Sequence, residues 1–229
     1  MILQRIKRKL YKTTHPVMGE IWMLHRVVEQ RSEKPGQREL EVTPEWLEHK
    51  ILEYQRKGYR FASIDALPKE GRWVCMTFDD GYCDNYTLAY PMLKRLGVPF
   101  TVYVTTGFID NQLPMWWYPG HTLGMSAAEL QTLDADPLCT IGAHTVSHPK
   151  LDTLSYEEQY KEIADSKQEL ERLLGHPILH FSFPHGAHNA DTLVICRELG
   201  FKTVVQSWGG AIRKGALPNP LPRIEISQQ

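Results

Sequence analysis

Short apolar runs alternate with amphipathic stretches along nearly the whole of this 229-residue chain. Apolar runs of roughly four to eight residues between turn formers fit buried strands, and stretches with helical spacing fit the connections between them. Glu20–Leu24 (EIWML) reads as the first strand. Thr43-Pro44 then opens a helix, with threonine as N-cap and proline at the first helical position; it carries Trp46, Leu47, Ile51 and Tyr54 and stops at Gly58. Tyr59–Ile64 and Arg72–Phe78 follow as strands. A helix from about Asn85 to Leu96, ended by Gly97, leads into the strand Phe100–Val104.

Two capping boxes mark the next helix starts. Ser126–Glu129 opens a short helix, and Ser155–Glu158 opens a long one that stops near Gly175. Cys139–Ala143 is the strand between them. Leu179–Phe183 is another strand, Asn189 caps a helix ending at Gly200, and Phe201–Val205 and Arg223–Ile226 are the last strands. Seven or eight strands joined by about five helices predict one domain, an α/β barrel or a strongly curved parallel sheet. The stretch Arg31–Glu39 reads as a surface loop, not a domain boundary.

Composition narrows the class. A chain of this size buries roughly 70–75% of its unfolded surface, so it needs neither a disulfide nor a structural metal to fold. A formal charge of −1 and a pI near 6.8 give no basic face for nucleic acid. The four cysteines, Cys75, Cys83, Cys139 and Cys196, form no CxxC pair and fit reduced thiols in a cytosolic protein. The first twenty residues are basic without an apolar h-region, and no stretch approaches ~18 continuous apolar residues. The expectation is a cytoplasmic protein. Residues 1–12 place Ile2, Leu3, Ile6 and Leu10 at helical spacing among basic residues, so they could lie on the inner membrane face. Residues 1–18 are read as a basic segment ahead of one catalytic domain, residues 19–229.

The candidate chemistry sits at strand ends. Thr77–Tyr82 reads TFDDGY directly after the apolar run Trp73–Met76. Two adjacent carboxylates beside a buried strand repel each other unless a cation lies between them. His144 and His148, four apart in GAHTVSHPKL, would face the same way if the residues after Cys139–Ala143 made one helical turn. FSFPHGAHN also follows a strand, and Pro184-His185-Gly186 would form a tight turn presenting backbone N–H groups at the same rim. Barrel and open-sheet proteins place their sites at these carboxyl ends.

TFDDGY, HTVSHPKL and FPHG, with WMLHRV near the start, resemble the polysaccharide deacetylase (NodB-homology, carbohydrate esterase family 4) superfamily from about Gly19 to Ile226. The resemblance implies a distorted (β/α)7-type barrel that removes acetyl groups from N-acetylated sugars. It makes Asp80, His144 and His148 metal ligands, Asp79 the general base, and the His185 backbone N–H an oxyanion donor. Two imidazoles and one carboxylate leave a position for water, as catalytic zinc sites do. Zn²⁺ suits the set best, and Co²⁺, Ni²⁺ or Fe²⁺ would be accepted.

Two positions depart from the family pattern. Where many members carry an arginine that orients the base, this chain has Ser182, and Arg223 could reach the base from the last strand. No histidine follows His188 to protonate the leaving amine, which leaves His25 as the preferred acid, with His185 and His188 as alternatives. Trp116 and Trp117 in the loop Leu113–His121, and Trp208 after a strand, are candidates for stacking on sugar rings beside the Pro184–Gly186 turn. Cys83 reads as packing and Asp84 as a helix cap. The predicted function is a metal-dependent N-deacetylase of an acetamido sugar in polysaccharide biosynthesis of the O-antigen or capsule type. Its substrate would be nucleotide-linked, lipid-linked or an oligosaccharide. The alternatives are a hydrolase of another small amide or imide and a non-catalytic carbohydrate-binding module.

Overall fold

The computed structural model describes residues 16–228 except 120, 122 and 216. The basic segment expected at residues 1–12 lies outside the described residues. Seven parallel strands close a barrel: β1 (Val17–Leu24), β2 (Trp73–Phe78), β3 (Phe100–Val104), β4 (Cys139–Ala143), β5 (His180–Ser182), β6 (Thr203–Gly209) and β7 (Leu221–Glu225). β7 returns to β1 with Trp22 opposite Ile224, and β1 runs beside β2 from Gly19/Trp73 to Leu24/Phe78, which seals the ring. Five helices cover its outside: α1 (Pro44–Arg56), α2 (Tyr90–Leu96), α3 (Ala127–Asp134), α4 (Tyr156–Leu174) and α5 (Ala190–Glu198). Among the described residues no helix is long and apolar enough to cross a membrane.

The period of two sorts each strand. Val74, Met76 and Phe78 join Leu47, Ile51, Leu93, Leu130, Ile163 and Ile195 in the layer between strands and helices. The alternate positions Trp73 and Cys75 join Ile21, Tyr103, Val205 and Leu221 inside the barrel. All six residues of β2 are therefore buried, as in parallel sheets covered on both faces. Two large interior rings fit only because glycines face them. A Cβ on Gly19 would lie 2.1 Å from Trp73, and one on Gly142 would lie 2.5 Å from Tyr103.

The caps expected at Thr43, Ser126, Ser155 and Asn189 are made, three of them as reciprocal capping boxes. Three local expectations change. Tyr59–Ile64 contributes only the two-residue strand Arg60–Phe61, paired with the start of β2 outside the ring. There Ser63 accepts a hydrogen bond from Asp65 N at 3.2 Å and turns the chain into a 3-10 helix. The helix expected from Asn85 starts as a π-turn, Asn85–Ala89, before α2. Pro91 lacks an N–H and its ring crowds the carbonyl four residues back; the wider turn, closed by Tyr90 N to Asn85 O, accommodates it. Arg31–Glu39 includes one helical turn, Pro35–Arg38.

Replacing Gly19 by alanine should overpack the barrel floor and destabilise the protein by about 1–3 kcal/mol. Urea unfolding would show this as a lower midpoint with an unchanged slope. A parental midpoint would rule out the tight Gly19–Trp73 contact.

Candidate active site

β2 delivers Asp79 and Asp80 to the mouth of the barrel, where Asp79 N donates to Leu24 O at 2.9 Å. Asp80 then adopts φ 75°, and Gly81 φ 80°. Thr145 (66°), His148 (63°) and His185 (57°) are also left-handed. For non-glycine residues this geometry costs on the order of 1–3 kcal/mol each and persists only where surrounding contacts over-determine it. The expected helical turn between the two histidines is therefore not formed. His144 directly follows β4, and an irregular loop through two left-handed residues brings His148 back toward it, ring centroids 5.0 Å apart.

Asp80, His144 and His148 converge, all three buried, with one ligand atom of each within 4.8 Å of the others. His148 Nε2 lies 3.2 Å and His144 Nε2 3.5 Å from Asp80 Oδ1. His144 Nδ1 donates to the carbonyl of Ser182 at 2.7 Å, so in the neutral ring Nε2 carries a lone pair, not a proton, toward Asp80. That leaves Asp80 Oδ1 buried without a hydrogen-bond partner among the described residues. A buried carboxylate oxygen facing imidazole lone pairs is the donor set of a divalent cation, so the residues fit a metal ion. Burial acts to raise the Asp80 pKa, and positive charge on the facing His148 and His144 imidazoles would outweigh it and hold the value well below the usual range.

Asp79 has a different partner. Arg223 reaches up the barrel interior, 1% exposed, and forks both carboxylate oxygens: Nη1 to Oδ1 at 2.7 Å and Nη2 to Oδ2 at 2.6 Å. Its remaining donors go to Ser182 Oγ at 2.8 Å, Thr77 Oγ1 at 3.1 Å and Gln206 O at 3.1 Å. The guanidinium also lies 5.6 Å from the centroid of the Tyr103 ring. Burial acts to raise the Asp79 pKa; Arg223, assisted by His144, outweighs it and lowers the value. Asp79 Oδ2 stays 3.9 Å from His144 Nε2, beside the convergent trio and outside it.

The mouth forms a cleft of about 320 Å³ lined by these carboxylates and imidazoles together with His25, His185, Trp116, Trp117, Leu40, Met23, Ser207 and Glu225. His25 follows β1, its carbonyl held by Asn85 Nδ2 at 2.8 Å. The His185 ring stands 4.6 Å from that of His148, and burial, with His148 and His144, pushes its pKa down to about 4. In the Pro184–Gly186 turn, Gly186 N bonds to Phe183 O and Ala187 N to Pro184 O, leaving the His185 N–H without a backbone acceptor among the described residues. Pro184 and Gly186 are buried and build the turn without lining the cleft. His188 stacks on Phe183 and also stays out of the cleft.

Trp117 is anchored by Nε1 to Tyr82 Oη at 2.6 Å, while Trp116 is 66% exposed. Trp208 packs on Gly186, where a Cβ would meet it at 2.2 Å; it does not line the cleft, and its neighbour Ser207 does. Asp84 does not cap the following helix. It is buried and accepts from Arg26 Nε at 2.7 Å and Val27 N at 3.1 Å. Arg26 in turn lies over the Tyr118 and Tyr82 rings, tying the aromatic loop to the turn after Asp80. Glu225 and Ser207 were not singled out from the sequence. Glu225 ends β7, and the rule that sites gather at strand ends points to it.

A sequence profile of the polysaccharide deacetylase family matches residues 66–204, well over half of the chain. YxkH of Bacillus subtilis (strain 168), which carries a polysaccharide deacetylase name, is 29% identical over 220 residues, covering 94% of this chain and 74% of that one. The poly-beta-1,6-N-acetyl-D-glucosamine N-deacetylase of Staphylococcus aureus (strain MSSA476) is 26% identical over 186 residues, 77% of this chain and 59% of that one. This chain thus spans less than two thirds of the staphylococcal protein. Among solved structures, the Streptococcus pyogenes deacetylase PplD in complex with acetate superposes with a TM-score of 0.77 at 27% identity, covering 93% of both chains.

Arg223→Ala would leave Asp79 buried without its counter-charge and should destabilise the protein by about 3–5 kcal/mol at neutral pH. Because folding lowers the Asp79 pKa, the pair's contribution is complete above the unfolded value of about 3.9 and is lost as pH falls through the lower folded value. Guanidinium unfolding of parent and variant should therefore show a gap that narrows as pH is taken below about 3.9. A gap that stays constant into acid would contradict the charge pairing.

Proposed function

The chain belongs to the polysaccharide deacetylase family, and from that premise we propose that it is a metal-dependent N-deacetylase acting on an acetamido sugar within an uncharged glycan. The observation that carries this reading is the division of labour between neighbouring carboxylates. Asp80 converges with His144 and His148 on a cation site, while Asp79 stays outside that trio with its charge fixed by Arg223. A carboxylate kept ionised and unligated beside a metal has a use in proton transfer and none in simple binding.

Asp80, His144 and His148 would hold the ion, with Zn²⁺ the first choice for this donor set. When bound, such an ion polarises the amide carbonyl and brings the pKa of coordinated water toward ~7. Asp79 accepts the proton of the attacking water, and Arg223 keeps its carboxylate oriented and charged. The His185 N–H supplies a donor to the developing oxyanion, a contribution typically on the order of 10²–10³ in rate. His25, at the other wall of the cleft, is the group proposed to return a proton to the leaving amine. Burial keeps the His185 imidazole neutral near pH 7, which weakens its claim to that role.

The substrate class follows from charge. No lysine or arginine lines the cleft among the described residues, since Arg223 is buried and committed to Asp79; Glu225 adds a carboxylate at the rim. A sugar carried on a nucleotide or lipid diphosphate would find no counter-charge there apart from the metal. An N-acetylated segment of an O-antigen- or capsule-type polysaccharide meets Trp116 and Trp117, whose indole faces suit sugar rings, with Trp208 placed for a more distant unit. The staphylococcal relative, named for a neutral N-acetylglucosamine polymer, agrees with that choice.

Acetate release should be measured with zinc-loaded protein on N-acetylglucosamine oligomers, a nucleotide-linked N-acetylhexosamine, a lipid-linked sugar and a small imide. Turnover should favour the oligomers. In Asp79→Asn it should fall by roughly 10²–10⁴ while one equivalent of zinc still binds. Metal-loaded protein silent on every sugar would defeat the deacetylase reading, and a preference for the nucleotide-linked sugar would defeat the substrate class.

A further inference from the structure

His148 reaches the cation site only because the loop Thr145–His148 holds two left-handed residues, and the polar groups of that loop are almost completely spoken for. On one side, Thr145 O accepts from Thr106 N at 3.0 Å and Val146 O from Gly107 N at 2.8 Å. This approach requires glycine at position 107, where a Cβ would lie 2.5 Å from Val146 O. Within the loop, His148 N donates to Thr145 Oγ1 at 3.1 Å. Two further amides turn to a single side chain on the other side. Val146 N and Ser147 N both donate to Glu162 Oε2 at 2.9 Å, and Ser147 Oγ donates to Glu162 Oε1 at 2.6 Å.

We infer that Glu162, on the outer helix α4 and away from the cleft, is a positioning residue that sets the metal affinity of the site by clamping the His148 loop. The inference rests on the metal role proposed above for His148. Three hydrogen bonds to one carboxylate are of the stronger, charge-assisted kind. They come from the two residues between the left-handed positions, so they oppose relaxation of Thr145 and His148 to ordinary φ values. Without them the loop has local freedom to swing the His148 imidazole away from Asp80. Binding a metal would then have to re-impose the strained geometry. The α4 framework that carries Glu162 is itself fixed by the Ser155 capping box and by burial of Ile163 and Leu170. Glu162 is half buried and Ser147 exposed, so removing the carboxylate leaves the core intact.

The test is Zn²⁺ affinity measured by competition with a chromophoric chelator, on the whole protein, alongside thermal unfolding of the metal-free form. Glu162→Ala should bind Zn²⁺ 10- to 100-fold more weakly, in the range seen when outer-shell partners of metal ligands are removed. Its metal-free unfolding midpoint should stay near the parental value, which a merely structural role would not predict. Glu162→Gln keeps one carbonyl acceptor for the amides and should fall between parent and alanine variant. Lys161→Ala, one residue away on the same helix, should bind as the parent does. If the alanine variant does not fold, the glutamine variant carries the test with an expected weakening of at least a few-fold. Parental affinity in the folded Glu162 variants would overturn the clamp while leaving the metal site standing. A parent protein that binds no Zn²⁺ would overturn both. Equal weakening in Lys161→Ala would assign the effect to the helix and overturn the role of Glu162.

Discussion

The mouth of this barrel depends on one buried ion pair. Asp79 and Arg223 meet in the buried interior, and each is held there by the other. The arginine must climb from the last strand through the barrel interior, so its path constrains much else. Tyr103 provides a face beside it, Ser182, Thr77 and the Gln206 carbonyl take its remaining donors, and β7 must lie close enough to β1 to close the ring. The serine at position 182, where the family resemblance led to the expectation of an arginine, becomes intelligible in the same terms. A second guanidinium there would compete with Arg223 for one carboxylate, and a hydroxyl can serve both partners.

Below the pair, the interior is a packing problem solved with size differences. Trp73 and Tyr103 fill the barrel because Gly19 and Gly142 carry no side chain, and each exchange works at a single facing position. Above the pair, backbone strain takes over. Left-handed residues at Asp80, Thr145, His148 and His185 all lie at the mouth, where three separate segments must each aim one group at a shared point. A regular helix or strand cannot deliver side chains to one point from three directions, so irregular backbone is what convergence requires.

That contrast explains what could be read from the sequence. Periodicity and caps are local, and they located β2, β3 and β4, the helices opened by Ser126, Ser155 and Asn189, and the strand ends where the cluster lies. Spacing paired His144 with His148 and the family resemblance joined Asp80 to them, but the expected helical turn misjudged how the loop brings them together. A spacing of four positions between histidines suits a helical turn equally well, and only long-range bonds with Thr106, Gly107 and Glu162 decide otherwise. Asp84 looked like a cap because it precedes a helix; a half-buried arginine 58 positions away claimed it instead. Trp208, expected after a strand, lies within β6 and is turned against Gly186, since a glycine opposite an indole is a tertiary fact. Glu162 gave no local signal, being one glutamate among many on a polar helix face.

The filled floor also has a bearing on traffic. With Trp73 and Tyr103 packed across the interior, the cavity at the top is a cup and not a tunnel. Whatever enters past Trp116 must leave past it as well. On the proposed deacetylase reading, a small acid formed at the bottom of the cup would sit beneath the larger product, and its escape would depend on that product lifting away. The order of departure would then be written into the shape of the vessel, with the bulky partner leaving first.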